Sequence, residues 1–542
     1  MPGPKTPSPK AALPARYGVV DVGSNAIRCQ VIELRGPGAP PAVLETRREP
    51  VRLGHDVFLT GSVPETSVAA AVEALRRFKT VCDRYAVAGI RAVATSALRE
   101  AANRDRIVAR IQRVAGVHIE IISGTEEAYL LARAVETHVD LSKGRSMLVD
   151  VGGGSVEVTL VEDGHVVLAD SYRLGAVRLL EALTGDGTGG EGQDLLELLD
   201  QYVGSLDQRI AERLGSGRID RFVATGGNIE TLADLAARDG PGSRADASRG
   251  RPASRGVTVS RDGVDSIALK TLAEWIQRLA RMSYAERIEE LVLPPDRADV
   301  ILPAAVVYYR LASVSRVDRL LVPRVGLRDG LVRDVVEGHL ETTQAADRRE
   351  TVLAGARALA RKYHAEAQHV EKVRELAMSL FDQTAEIHQL GAEERVLLEA
   401  AAVLHDIGAF VSASGHHKHS HYLILASELV GLSDHERDLV ALVARYHRRS
   451  HPKRTHPFFE VLQRDDRVCV SKLAGLLRLA DALDREHRGK VAKVEASVGK
   501  RGVELVLEPK KGGGDLALER WAVRRKGSLF TEAFGLPVRV AP

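Results

Sequence analysis

Two short segments of this 542-residue chain end an apolar run in a carboxylate and a glycine bend: YGVVDVGSN at 17–25 and SMLVDVGGGSVEV at 146–158. At such a bend consecutive backbone N–H groups converge on an anion, and small residues let a phosphoryl oxygen approach closely. The aspartate, Asp21 or Asp150, can hold a divalent cation or orient water. One bend of this kind is also what a hairpin with a solvated Asp makes; two of one type form an internal repeat at domain scale. Gly23, Ser24 and Asn25 belong to the first bend, and Gly152, Gly153, Gly154, Ser155 and the following Glu157 to the second. ATSALR at 94–99 offers Thr95, Ser96 and Arg99, two hydroxyls and a guanidinium that suit phosphate, although either hydroxyl is also an ordinary helix N-cap. ATGGN at 224–228 places Gly226, Gly227 and Asn228 in a third glycine turn. In IISGTEEA at 121–128 two adjacent carboxylates open a helix. Ser123 and Glu126 fit a capping box, which occupies Glu126 at the helix start and leaves Glu127 to lean into a cleft.

A second set of residues has the chemistry of a metal site. His369 begins a helix with a stripe at Val373, Leu376, Ala377 and Leu380; His405-Asp406 ends the apolar helix VLLEAAAVL; Asp481 lies on the apolar side of KLAGLLRLADAL. An unpaired carboxylate on a buried stripe is costly, and a divalent metal held by His369, His405, Asp406 and Asp481 satisfies all four. The segments GHHKHS at 415–420, with His416, His417 and Lys418, and RYHRR at 445–449, with His447, Arg448 and Arg449, are candidates to hold a second metal or contact phosphates, the alternative being a basic solvated surface.

These residues need elements to position them. From Tyr17 strand-like runs alternate with helical periods, and the pattern restarts at Ser146, which predicts two α/β lobes facing each other across a cleft. Residues 1–16, with five prolines, read as a flexible arm, and 184–194 and 239–256 as mobile surface loops. The expected divisions are lobe I at 17–140, lobe II at 141–340, a helical domain rich in Ala, Leu and His at 341–489, and a small α+β appendage at 490–542.

Composition narrows the classes further. Hydrophobic residues at 44% and charged residues at 27% exclude a disordered chain. A net charge of +3 argues against a nucleic-acid coat and leaves anionic small molecules or polymers to local patches. Cys29, Cys82 and Cys469 are scattered and odd in number, so no disulfide framework is expected and a reducing cytoplasm is the simpler setting. No apolar run approaches the ~20 residues that span a bilayer.

Taken in order and spacing, DVGSNAIR, ATSALRE, IISGTEEA, LVDVGGGSVEV and ATGGN resemble the exopolyphosphatase / guanosine pentaphosphate phosphohydrolase (Ppx/GppA) family over about residues 17–335, with GLRDGLV at 326–332 similar to its closing segment. The resemblance implies two actin-like, ribonuclease H-like lobes and Mg2+-dependent hydrolysis of a terminal phosphoanhydride. It assigns Glu127 as the base that activates water, and the Asp21 and Asp150 bends as opposing phosphate and metal turns. Ala26-Ile27-Arg28 departs from the family pattern where many relatives carry a hydroxyl residue. The spacing of His369, His405-Asp406 and Asp481 resembles HD-type phosphohydrolase domains, which implies an all-α HD-type domain after the lobes. The resemblance also implies a homodimer, and the basic clusters suit a long phosphate chain. The expected activity is exopolyphosphatase; the alternatives are a guanosine pentaphosphate phosphohydrolase, or a polyphosphate- or nucleotide-sensing module whose catalysis lies in the HD-type centre.

Overall fold

Runs of Val and Ile broken by glycine bends become strands, because β-branched side chains pack well on a pleated surface and glycine releases the turn. The computed structural model describes residues 13–541 except 37–38, 185–192, 206, 215–216, 239–256, 260–263, 341–343 and 513. Most of the expected arm at 1–16 and of the expected loops at 184–194 and 239–256 lies outside the described residues. The chain divides into two units, Met1–Gln344 and Ala345–Pro542.

The first unit contains two sheets. In the first, β1 (Ala15–Val22), β2 (Ile27–Leu34) and β3 (Ala42–Glu49) form an antiparallel meander, and β4 (Gly89–Ala94) and β5 (Glu120–Ile121) add in parallel on the other side of β1. In the second, β6 (Arg145–Val151), β7 (Val156–Glu162) and β8 (His165–Tyr172) form the meander, and β9 (Arg221–Thr225) lies parallel to β6. Two further strands, β10 (Val257–Val259) and β11 (Asp265–Ala268), reach β9 through β12 (Arg319–Val322). The order β8-β7-β6-β9-β12 repeats β3-β2-β1-β4-β5 in sequence and in strand sense. The echo between the two glycine segments is therefore a repeat of topology.

This topology aligns the two aspartates. Asp21 pairs with Arg28 across the β1–β2 hairpin, and Asp150 with Glu157 across β6–β7, each one residue before its strand ends. The carboxyl ends of parallel strands are where such sheets leave a crevice. VHIEIISG reads as a full strand, but only Glu120 and Ile121 pair, because Ser123 already caps the next helix. The helix Leu327–Leu340, read with the second lobe, packs Leu327 and Leu331 against Val19, Val93, Ile122 and Leu130 of the first.

In the second unit the helices Ala367–Gln383, Ala392–Leu404, His416–Leu425, Asp434–Arg445 and Arg464–Leu483 share one apolar core. A hairpin of β13 (Val491–Gly499) and β14 (Gly502–Pro509), a parallel β15 (Val538–Val540), and the helices Ala517–Lys526 and Ser528–Phe534 follow. Val494, Leu505, Val523 and Phe530 from this tail lie in the same core. Among the described residues no helix is long and apolar enough to cross a membrane.

Candidate active site

The two glycine bends meet. A Cβ added to Gly153 would stand 3.0 Å from Ser24 Cβ, and Ser24 Oγ lies 2.9 Å from Ser96 Oγ. Between them is a cavity of about 390 Å3 lined by Asp21, Gly23, Ser24, Asn25, Thr95, Ser96, Glu127, Asp150, Gly152, Gly153, Ser155, Gly226, Gly227 and Asn228. Of the residues expected in this cleft, Arg99, Gly154 and Glu157 stand behind its lining. Arg99 Nη1 lies 3.3 Å from Glu127 Oε2, and Glu157 Oε1 accepts from Ser155 Oγ at 2.5 Å and Ser171 Oγ at 3.0 Å. The Gly154 carbonyl accepts from Arg178 Nε at 2.8 Å.

Local sequence explains the placement of Glu127. Ser123 Oγ accepts the Glu126 N–H at 3.1 Å and starts the helix Gly124–Val135. Glu126 lies 3.7 Å from Arg91, whereas Glu127, one position on, is only 9% exposed and enters the cavity. Gly226 has φ +97°, and a Cβ there would meet Asp150 Oδ1 at 2.6 Å, so the third turn admits only glycine. Thr225 Oγ1 donates to Asp150 Oδ1 at 3.2 Å.

The carboxylates crowd. Burial and then Glu157 push the Glu127 pKa well above the usual carboxylate range, against the pull of Arg99. Burial and then Glu157 push Asp150 up to about 7. Burial also raises Glu157, with Ser155 and Arg99 opposing, and raises Asp21, with Arg28 opposing. Glu157 Oε2 is buried with no hydrogen-bond partner. This is a face in want of a cation.

Sequence reasoning missed the opposite charge. Arg28, Arg48, Arg297, Arg324 and Arg328 line the same cavity. Arg28 stands 3.4 Å from Asp21, so the position that departs from the family pattern supplies a guanidinium. Burial, then Arg28 and Arg48, depress Arg297, whose guanidinium bonds the Gly227 carbonyl and Thr231 Oγ1. Also missed was Tyr308, wholly buried, whose hydroxyl accepts the Val151 N–H at 3.2 Å and donates to the Thr225 carbonyl. Arg48, Arg297 and Tyr308 come from segments without a quoted motif, and a net charge near zero conceals the convergence of the arginines.

In the second unit the four expected ligands meet. His369 Nε2 lies 3.3 Å from His405 Nε2 and 3.8 Å from both Asp406 Oδ2 and Asp481 Oδ1. Of the expected polyanion contacts, Lys418 and Arg449 are exposed, and Arg448 Nη1 sits 2.9 Å from His416 Nε2. His417 is buried, and His447, 1% exposed, points inward with Nε2 3.6 Å from Asp406 Oδ1, because its Nδ1–H is tied to the Ala444 carbonyl. A surface role for His447 is thereby corrected. His416, in the GHHKHS segment read as a second-metal or phosphate-contact candidate, has its Nε2 3.1 Å from Asp406 Oδ1. Although burial opposes it, the surrounding histidines hold Asp406 far below the ordinary carboxylate range. Burial keeps His405 below the usual imidazole range and lowers His447 to about 3.

Comparison with known proteins bears on both units. The sequence model described as the Ppx/GppA phosphatase family matches residues 31–339, and that of Ppx/GppA phosphatase, domain III, matches 349–519. Exopolyphosphatase 1 of Mycobacterium leprae is 27% identical over 328 residues, 60% of this chain and 91% of that protein. Exopolyphosphatase 1 of Mycobacterium tuberculosis is 26% identical over 328 residues, 60% of this chain and 90% of its own length. A crystal structure of an exopolyphosphatase from Cytophaga hutchinsonii shares the fold, with TM-score 0.52 at 21% identity over 60% of this chain and 98% of that one.

Proposed function

The chain belongs to the Ppx/GppA phosphatase family and is a phosphoanhydride hydrolase, and from that premise we propose that its cleft removes the terminal phosphate of inorganic polyphosphate with Glu127 as general base. One observation carries this reading: glycine bends from two halves of a repeat close on one cavity that Glu127 enters. Water attacks the terminal phosphorus as the bridging P–O bond breaks, and Glu127 accepts a proton from that water. The products are orthophosphate and a chain shorter by one phosphate. A raised pKa suits Glu127 to this work, since a base is most effective near the working pH. Arg99 orients the carboxylate from 3.3 Å, and the backbone N–H groups of the bends receive phosphoryl oxygens. Crowded guanidiniums at Arg28, Arg48 and Arg297 lose mutual repulsion when an anion lies among them, which suits the inner phosphates.

The carboxylate face fits a divalent cation, which we take to be Mg2+. Asp21 and Asp150, with Glu157 behind them, would hold it: burial raises all three, and Glu157 Oε2 has no hydrogen-bond partner. Such a cation neutralises charge on the transferred phosphate. For the second unit we propose an HD-type identity, with a divalent cation on His369, His405, Asp406 and Asp481; the approach of His369 Nε2 to the other three supports it.

Replacement Glu127→Gln is expected to lower phosphate release from polyphosphate about 10²–10⁴-fold while polyphosphate still binds. A phosphate-release assay under Mg2+, run beside guanosine pentaphosphate, measures this and ranks the two substrates. Full release by the Gln variant sinks the mechanism.

A further inference from the structure

The second glycine bend is seated on the helix that follows it. At the start of helix Ala176–Thr184 the Ala176 and Val177 N–H groups donate to the Gly152 and Gly153 carbonyls at 2.9 Å, and that of Arg178 to Gly153 at 3.0 Å. Gly175 permits the approach, since a Cβ there would stand 2.3 Å from the Gly154 nitrogen. A peptide unit is planar and trans, so a carbonyl drawn one way turns the next residue's N–H the other way. The helix thereby aims the Gly153 and Gly154 N–H groups away from itself. The third plane, which carries the Ser155 N–H, is held by a side chain: Arg178 Nε donates to the Gly154 carbonyl at 2.8 Å.

The rest of the Arg178 guanidinium serves the opposite half of the repeat. Its Nη2 donates to Glu100 Oε1 at 2.6 Å, and its central carbon lies over the Phe58 ring, 4.0 Å from the centroid. Glu100 closes the short helix Ser96–Glu100, which also bears Arg99, the partner of Glu127. Phe58 belongs to helix Gly54–Thr60, whose first N–H donates to the Ser24 carbonyl of the first bend at 2.8 Å. One guanidinium thus touches the second bend, the helix behind the first bend and the helix that orients the base. Arg178 lies outside the cavity lining, so substrate need not meet it. A flat fork that hydrogen-bonds along its edges while stacking with its face is a task lysine cannot perform.

We infer that Arg178 is a positioning residue for phosphate release, a clasp that holds the Ser155 N–H of one half in register with the Arg99–Glu127 pair of the other. Arg28, Arg48 and Arg297 hold inner phosphates without it. Cleavage needs donor and base aligned on one phosphorus, and that alignment passes through the clasp. The inference rests on the cleft being the site of phosphate release.

The test is tripolyphosphate turnover by the full chain under Mg2+, with melting curves for each variant. Arg178→Ala should lower kcat about 100-fold, the cost of a displacement of about 1 Å, while KM changes little. Arg178→Lys keeps the charge and should also be slow; it carries the test if the alanine variant does not fold. Glu100→Gln should slow the unaltered chain yet add nothing to Arg178→Ala, because the two residues act as one contact. Glu100 Oε2 also lies 3.6 Å from the exposed Arg173, so Arg173→Ala, expected to keep full kcat, is the control. Glu127→Gln runs in the same assay. Full release by Glu127→Gln overturns the reading of the cleft and this inference with it. If Glu127→Gln is slow, an unchanged kcat in folded Arg178→Ala or Arg178→Lys overturns the inference alone. So does a loss confined to KM, an additive loss in the double variant, or an equal loss in Arg173→Ala.

Discussion

Asp150 closes β6, accepts from Thr225 Oγ1 and is pushed up to about 7 by burial and then by Glu157. A carboxyl whose folded pKa lies above its unfolded value adds stability that is complete below the unfolded pKa and is lost as pH rises through the folded one. Cation-free protein should therefore melt at progressively lower temperature, relative to Asp150→Asn, as pH climbs from about 4 towards 7. Added Mg2+ should shrink that difference; melting curves of both proteins with and without chelator test it. Ser123 as the cap of the Glu127 helix was legible in the sequence because capping is local; the Ser123 half of the expected capping box forms, and Glu126 lies 3.7 Å from Arg91. Arg28, Arg48 and Arg297 were not legible: Arg28 and Arg48 face each other across β2 and β3, and Arg297 joins them from a segment far along the chain.

Tyr308 ties β6 to β9: one hydroxyl serves the Val151 N–H and the Thr225 carbonyl, beside both the Asp150 bend and the Gly226 turn. Removing it strands two buried backbone groups, so Tyr308→Phe should destabilise the protein by about 1–3 kcal/mol in denaturant melts and weaken phosphate release. Its helix, Ile301–Val314, is apolar on nearly every face, and a pattern of that kind announces burial without saying which hydroxyl meets which strand. Strands that end in glycine bends were readable, because turn chemistry is written in adjacent residues. β3 was missed, since AVLETRRE lies half-exposed at a sheet edge and lacks an apolar face. The helices bearing His369, His405 and Asp481 were readable from apolar spacing. Within GHHKHS the inward-turning histidine was not readable, because a run of histidines at a helix start does not reveal which one it is.

Among the described residues, these apolar clusters of the first unit draw on residues before 345, and that of the second on residues after it. The exopolyphosphatase relatives are matched over 90% or more of their length by about 60% of this chain. A chain ending at Gln344 should fold alone and release phosphate from tripolyphosphate within about an order of magnitude of the full-length rate. Assay of the shortened chain beside the whole one decides this. Within that unit, Leu327 and Leu331 pack on Val19 and Val93 of the first sheet, so the amino-terminal half is finished with material encoded at the far end. During synthesis the early strands leave the ribosome with part of their apolar back uncovered until residues beyond 327 emerge, whereas every strand of the later sheet is out by Val322. The first-made sheet is thus closed last, by a helix that follows every strand of the second.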